Sequence, residues 1–181
     1  MNNLILSQLI CTRISHDLSG VMGAVYNGAE LLQEDEDFAD QAASLIQNSA
    51  TDLMAKMRFF RQTFGLPKDS EDTTGEYLKT FSIPFELSGV CTNNLQRALV
   101  MGLTDYFYKG ATFEVTSDGI FATGKALKEC TDFISLLKSG QGEETAVNAP
   151  AFFIYQLCQQ EQKTLEIEIK ENINQVIISI K

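Results

Sequence analysis

Residues 11–32 read CTRISHDLSGVMGAVYNGAELL and contain His16, the only histidine in the 181-residue chain. At about 100° per residue, six large aliphatic residues of this region fall within about 80° of one another on a helical wheel, and His16 lies on the opposite side. These aliphatic residues are Ile10, Ile14, Leu18, Val21, Val25 and Leu32. The pattern predicts an amphipathic helix that displays His16 to solvent.

The residues that share the histidine's face are mostly small. They are Thr12, Ser19, Gly20, Gly23 and Asn27, with Arg13 as the larger exception. Glycine inside a helix lowers its stability by roughly 1 kcal/mol relative to alanine. Two glycines beside a lone histidine therefore indicate a helix surface without protruding side chains, which a partner protein can approach closely. The alternative is that Gly20 and Gly23 permit close packing of helices.

Residues 1–67 are predicted to form a helical hairpin. One helix runs from near Asn3 to about Gln33, and a second helix, Phe38–Phe64, carries a heptad seam. The seam consists of Ile46, Ala50, Leu53, Met57, Phe60 and Phe64. Because a lone hairpin has too little apolar partner surface, we expect it to form a homodimer with a four-helix bundle.

A polar segment, residues 68–75, is the predicted linker to a second domain over residues 76–181. Helical patterns alternate there with short apolar runs, which predicts a small α/β sandwich and an α+β fold class for the whole chain. The predicted helices are Asn94–Tyr108, Lys125–Lys138 and Pro150–Gln162, and the predicted strands are Phe81–Leu87, Ala111–Ser117, Ile120–Ala122, Leu165–Ile169 and Val176–Ile180.

Composition excludes several function classes. The net charge of −10 argues against nonspecific binding to nucleic acid or to an anionic membrane. The chain has no apolar run of about 18 residues and no signal peptide, so we expect a soluble, cytoplasmic protein. Its four cysteines form no Cys-x-x-Cys pair and it has a single histidine, so we expect reduced thiols and no metal site.

An exposed imidazole beside a carboxylate is suited to nucleophilic attack on phosphorus. Asp17 is placed to hold one ring N–H of His16 and so to orient the imidazole. The resulting phosphoramidate can pass its phosphoryl group to a carboxylate, and a partner domain can supply the Mg²⁺. Arg13 is a candidate contact for phosphoryl oxygens or for an acidic partner. The alternatives are an ordinary surface histidine and an Arg13 that pairs with Asp17 or with a carboxylate on the facing helix.

The hairpin carries three motifs, which are Cys11-x4-His16-Asp17-Leu18, Gly23-Ala24-Val25-x-Asn27-Gly28-x-Glu30-Leu31-Leu32 and Arg58-Phe59-Phe60-Arg61-x2-Phe64-Gly65. Together they resemble the ChpT-type histidine phosphotransferases of alphaproteobacteria. The resemblance extends more weakly through Lys109-Gly110-Ala111-Thr112 and the helix near Ala151–Gln156. One departure follows the histidine, where Ser19 is displaced by one position and the family's proline is absent.

The resemblance implies a homodimeric, histidine-kinase-like bundle, each hairpin being followed by a degenerate version of the kinase ATP-binding domain. It implies that His16 accepts a phosphoryl group from the receiver domain of a hybrid histidine kinase and passes it to response regulators, typically the cell-cycle regulator CtrA and the proteolysis regulator CpdR. No cofactor of the chain's own is implied, because Mg²⁺ resides on the receiver domain.

The second domain lacks the motifs of a working ATP site. Asp118-Gly119-Ile120-Phe121 has no second glycine, and Ser139-Gly-Gln-Gly142 is too short for a phosphate lid. ATP-dependent autophosphorylation is therefore not expected. Two other hypotheses remain open: a non-catalytic module that binds or scaffolds response regulators, and a divergent ATP-dependent histidine kinase.

Overall fold

The structure, a computed structural model, describes residues 2–34, 36–65, 71–125 and 131–181. Within these ranges six α-helices and five β-strands follow one another in the order helix, helix, helix, strand, helix, strand, strand, helix, helix, strand, strand. The predicted α+β fold is confirmed: a helical hairpin is followed by a sheet with helices.

The hairpin consists of helix α1, Asn3–Glu34, and helix α2, Ala39–Phe64. A 3₁₀ turn, Glu36–Phe38, leads into α2, and the bounds of both helices lie within one residue of the prediction. Gly65 ends α2 by donating its N–H to the carbonyl oxygen of Arg61. Because the connection is short, the two helices run antiparallel and pack along their length.

The heptad seam of α2 is only partly covered within one chain. Phe60 is buried, whereas Ala50 and Met57 are exposed and Leu53 is half-buried. The residues of α2 that are buried against the rest of the chain lie mostly on a neighbouring stripe, which includes Ala55 and Phe59. The hairpin therefore presents apolar surface that the described residues of its own chain leave open.

Helix α3, Thr74–Lys79, begins inside the segment predicted as a linker. Asp72 organises its start, because one carboxylate oxygen accepts hydrogen bonds from the N–H and hydroxyl of Thr74 while the other accepts the N–H of Cys91. Arg97 donates to the same carboxylate at 3.2 Å. The polar residues that predicted a linker include Asp72, whose largely buried carboxylate instead anchors the start of α3. Residues 66–70 lie outside the described part of the chain.

The sheet has the strand order β1-β2-β3-β5-β4, with β1 parallel to β2 and all other neighbours antiparallel. One face of the sheet is covered by helices, as the alternating burial along β2 shows. The strands are β1 Phe85–Ser88, β2 Ala111–Thr116, β3 Gly119–Gly124, β4 Leu165–Lys170 and β5 Gln175–Ile180, and the helices are α4 Asn94–Tyr106, α5 Thr131–Ser139 and α6 Ala149–Glu161. We call α3–α6 and this sheet the α/β unit.

Several predicted elements differ from the structure at their ends. The first strand starts only at Phe85, because Pro84 has no N–H for strand pairing and confines pairing to the residues after it. It is an edge strand, as its proline predicts. Helix α4 ends at Tyr106 rather than Tyr108. The helix predicted to start at Lys125 does not include that residue, which lies in a bend; α5 is described from Thr131, and residues 126–130 lie outside the described ranges.

Aromatic packing joins the hairpin to the α/β unit. The ring of Phe59 on α2 stacks on the ring of Tyr77 on α3, with centroids 3.8 Å apart and planes 5° from parallel. Both residues are almost fully buried, and Phe60 packs edge-on against both rings. The buried apolar residues of the two parts therefore form one continuous core.

Substitution Phe59→Ala is expected to destabilise the whole fold by about 3–5 kcal/mol, because it removes a fully buried ring and leaves a cavity at the junction. Urea unfolding followed by circular dichroism measures this change. The matched control is Val90→Ala, a substitution at an exposed loop residue, which should change stability by less than about 0.5 kcal/mol. Equal effects of the two substitutions would contradict the assigned role of Phe59.

Candidate functional site

His16 lies near the middle of α1, with 85% of its side chain exposed. Its Nδ1 is 3.3 Å from Oδ1 of Asp17, and among the described residues Nε2 has no hydrogen-bond partner. A carboxylate only accepts hydrogen bonds, so in the neutral imidazole this contact favours the tautomer that carries its proton on Nδ1. That tautomer leaves the lone pair of Nε2 directed away from Asp17 and free to act as a nucleophile.

Asp17 is held in place by Arg13, one turn earlier on α1. Nε of Arg13 donates to Oδ2 of Asp17 at 2.8 Å, which leaves Oδ1 for the imidazole. The two terminal nitrogens of Arg13 donate to the two carboxylate oxygens of Asp105 on α4, at 2.8 and 3.1 Å. A bidentate pair of this kind fixes the plane of the guanidinium.

Arg13 is a buried cation with 8% of its surface exposed. Burial by itself would lower the pKa of this guanidinium, but the charges and hydrogen bonds of Asp105 and Asp17 outweigh that cost, so the pKa lies above its usual value. All three of its nitrogens are engaged. Of the two alternatives for Arg13, pairing with Asp17 is the arrangement found.

A groove with a cavity of about 410 Å³ opens beside His16. Lys56 of α2 lies in it, with Nζ 3.4 Å from the carbonyl oxygen of Asp17 and 5.7 Å from the centre of the Phe81 ring. The α/β unit thus forms one wall of the groove. We call this the His16 groove, and its lining residues are Thr12, Arg13, His16, Asp17, Lys56, Tyr77, Phe81, Asp105, Ala146 and Val147.

The predicted docking residues on the histidine's face are all exposed. They are Thr12, Ser19, Gly20, Gly23 and Asn27. The hydroxyls of Thr12 and Ser19 donate to carbonyl oxygens one turn earlier on α1, at 2.9 and 2.6 Å. Apart from the adjacent residues and the nearby backbone of α1, no described atom lies within 4 Å of a Cβ built on Gly20 or Gly23, so these glycines are not packed against another described helix.

Several residues of the groove have no signature in the sequence. Asp105 is separated from Arg13 by 92 positions, and Lys56 reaches Asp17 from the facing helix. Their residue types are common on helix surfaces, and only the folded chain brings them to His16. Among the residues that the structure covers, no group of three histidine, cysteine, aspartate or glutamate side chains could hold a metal ion.

A second apolar groove, with a cavity of about 470 Å³, lies between α1 and α2. It is lined by the C-terminal part of the heptad seam together with the N-terminal part of the aliphatic stripe of α1. We call it the seam groove, and its lining residues are Ser7, Ile10, Cys11, Ile14, Leu18, Met57, Phe60, Arg61, Phe64 and Gly65. None of the described helices is long and apolar enough to cross a membrane.

Comparison with known proteins finds relatives along the whole chain. The protein phosphotransferase ChpT of Brucella abortus (strain 2308) is 27% identical in an alignment of 206 positions. The alignment covers 99% of this chain and 96% of that protein. A solved structure of a bacterial phosphotransferase superposes with a TM-score of 0.80 at 22% identity, covering 100% of this chain and 98% of the other. No protein-family model matches the chain. The predicted resemblance to the ChpT-type proteins is confirmed.

Substitutions Gly20→Ala and Gly23→Ala are expected to stabilise the protein by about 0.5–1 kcal/mol each, because alanine favours the helix and its methyl group meets no neighbour. Thermal unfolding measures the gain. Gly28→Ala is the matched control, since its Cβ would lie 2.7 Å from a side-chain carbon of Ile46 and the close helix contact would have to open. Equal shifts of the melting temperature for all three substitutions would contradict the description of Gly20 and Gly23 as free of neighbours and of Gly28 as packed against α2.

Proposed function

Because this chain is similar to a ChpT phosphotransferase from end to end, we propose that it is a histidine phosphotransferase of a two-component phosphorelay. His16 accepts a phosphoryl group from the aspartyl phosphate of a hybrid histidine kinase's receiver domain and passes it to the aspartates of response regulators. The observation that carries the proposal is the exposed imidazole of His16 with Nδ1 directed to Asp17.

The transfer is a displacement at phosphorus. The lone pair of Nε2 forms the N–P bond while the P–O bond of the aspartyl phosphate breaks and its electron pair returns to the carboxylate of the donor. Asp17 keeps the proton on Nδ1 and offsets the positive charge that the ring gains on phosphorylation. The acceptor's aspartate then attacks the same phosphorus and restores the neutral imidazole. Mg²⁺ bound to the receiver domain would offset the charge of the phosphoryl oxygens.

The surroundings of His16 fit a protein partner rather than a small substrate. The imidazole of His16 is exposed, and the small residues Gly20 and Gly23 leave the helix surface low on the same face. The proposed docking surface consists of Thr12, Ser19, Gly20, Gly23 and Asn27. In this proposal the partners are CtrA-like and CpdR-like regulators in the cytoplasm, with a role in cell-cycle regulation, and neither ATP nor a resident metal is used.

Substitution His16→Ala is expected to abolish labelling of the chain by a ³²P-phosphorylated receiver domain, because the only imidazole is removed. Autoradiography after mixing measures transfer, and calorimetry shows whether the receiver still binds. Gln8→Ala, an exposed substitution two turns earlier on α1, is the matched control and should leave labelling unchanged.

Two results would contradict the relay. Labelling of the His16→Ala variant equal to that of the wild type would favour a scaffold that binds regulators without chemistry. Labelling of the wild type by ATP alone would favour a divergent histidine kinase instead.

The proposal includes a homodimer built on the seam groove. Ile10, Ile14 and Leu18 from α1 lie there beside Met57 and Phe64 from α2. In a four-helix bundle the hairpin of a second copy covers such a stripe. His16 lies on another side of α1, so two copies of the imidazole stay accessible.

Substitution Met57→Glu is expected to convert the dimer to a monomer, because it places a charge in the centre of the apolar seam groove, where it would have to be desolvated. Light scattering coupled to size exclusion measures the mass. Ile173→Glu is the matched control, since Ile173 is an equally exposed apolar residue outside the hairpin. A dimer that survives Met57→Glu, or a monomeric wild type, would contradict this interface.

A further inference from the structure

Asp105 connects the α/β unit to the phosphoacceptor through three successive contacts. Its carboxylate takes both terminal nitrogens of Arg13, Arg13 holds Oδ2 of Asp17 through Nε, and Oδ1 of Asp17 faces Nδ1 of His16. We propose that Asp105 is a positioning residue: it orients Arg13 and Asp17 so that the proton of the neutral imidazole stays on Nδ1. Of this inference, only the effect of Asp105 on the rate of phosphoryl transfer rests on the proposed function.

The argument starts from the geometry of the guanidinium. Arginine presents donors in one plane, and an end-on carboxylate uses the two terminal nitrogens while leaving Nε for another acceptor. Asp105 occupies the end-on position, at 2.8 and 3.1 Å. Asp17 therefore receives Nε at only one of its oxygens, Oδ2. Its other oxygen remains available to the imidazole.

Removal of the Asp105 charge changes the competition for Asp17. A guanidinium with one remaining carboxylate partner favours a side-on bidentate pair, in which Nε and a terminal nitrogen take both oxygens. Arg13 is too buried to satisfy the freed nitrogens in bulk water. Oδ1 of Asp17 would then turn toward Arg13 and away from His16, and Nδ1 would lose its acceptor.

The tautomer of His16 follows from that loss. In a neutral imidazole the hydrogen bond made by one nitrogen decides which nitrogen carries the proton. With Oδ1 of Asp17 in place, the proton stays on Nδ1 and Nε2 is the nucleophile. Without that acceptor the proton is shared with Nε2, and a protonated Nε2 cannot attack phosphorus.

An ion pair that only ties α4 to α1 is the competing explanation. Asp105 is 35% exposed and bridges the hairpin and the α/β unit, as a purely structural pair would. Such a pair contributes to stability but has no effect on the proton of His16. The tautomer therefore separates the two roles, whereas a change in stability does not.

The decisive experiment compares the wild type with Asp105→Asn by two-bond ¹H–¹⁵N NMR of the full chain labelled with ¹⁵N-histidine and carrying no histidine tag. His16 is the only histidine, so every imidazole signal belongs to the site. We expect the Nδ1–H tautomer in the wild type and a shift of population toward Nε2–H in Asp105→Asn. Asp105→Glu, which restores the charge, should return the spectrum toward that of the wild type.

The matched control is Glu76→Gln, which removes a different ion pair between the hairpin and the α/β unit, the exposed Arg58–Glu76 contact at 3.3 Å. It should leave the tautomer of His16 unchanged. An Asp105→Asn spectrum identical to that of the wild type would overturn the proposal. A lower urea midpoint for Asp105→Asn with no change of tautomer would overturn it as well, because the pair would then be structural only.

Transfer kinetics test the consequence for the relay. We expect Asp105→Asn to slow labelling by a phosphorylated receiver about tenfold, as losses of supporting hydrogen-bond partners do at other sites, with unchanged receiver affinity. An unchanged rate would overturn this part of the inference. A wild type that takes no label at His16 would instead remove the proposed function, and the NMR comparison would still decide the role of Asp105.

Discussion

The structure depends on one buried guanidinium that is satisfied from two sides. A desolvated cation is costly unless it is paired, and Arg13 finds Asp17 on its own helix and Asp105 on α4. The hairpin and the α/β unit therefore cannot separate at this point without exposing or unpairing charges. The stacked rings of Phe59 and Tyr77 stabilise the same junction by apolar packing.

This junction determines how the surface of α1 is divided. The side that carries Arg13 faces the α/β unit, and the aliphatic stripe that includes Ile14 lines the seam groove. His16 and the small residues around Gly20 are left facing solvent. In the proposed dimer the seam is covered by a second hairpin. Assembly and phosphotransfer then use different sides of the same helix and do not compete.

The chemistry proposed for His16 requires only a few features of the protein that carries it. A relay histidine needs an accessible nitrogen, a proton kept on the other nitrogen and room for a receiver domain, since the receiver supplies the metal and the aspartate. In this proposal the α/β unit serves as support rather than as a nucleotide site. It forms one wall of the His16 groove and supplies Asp105, whose carboxylate reaches the imidazole only through Arg13 and Asp17.

Local patterning in the chain was enough to predict the helical hairpin, the α/β unit and an exposed His16, because helical and strand periodicity depend on neighbouring residues. It did not reveal α3, whose six residues are too few to show a period. The tertiary structure alone decided that Arg13 is shared between Asp17 and Asp105 and that Lys56 enters the groove. Such contacts join residues far apart in sequence, and common charged residue types carry no local sign of the partner they meet.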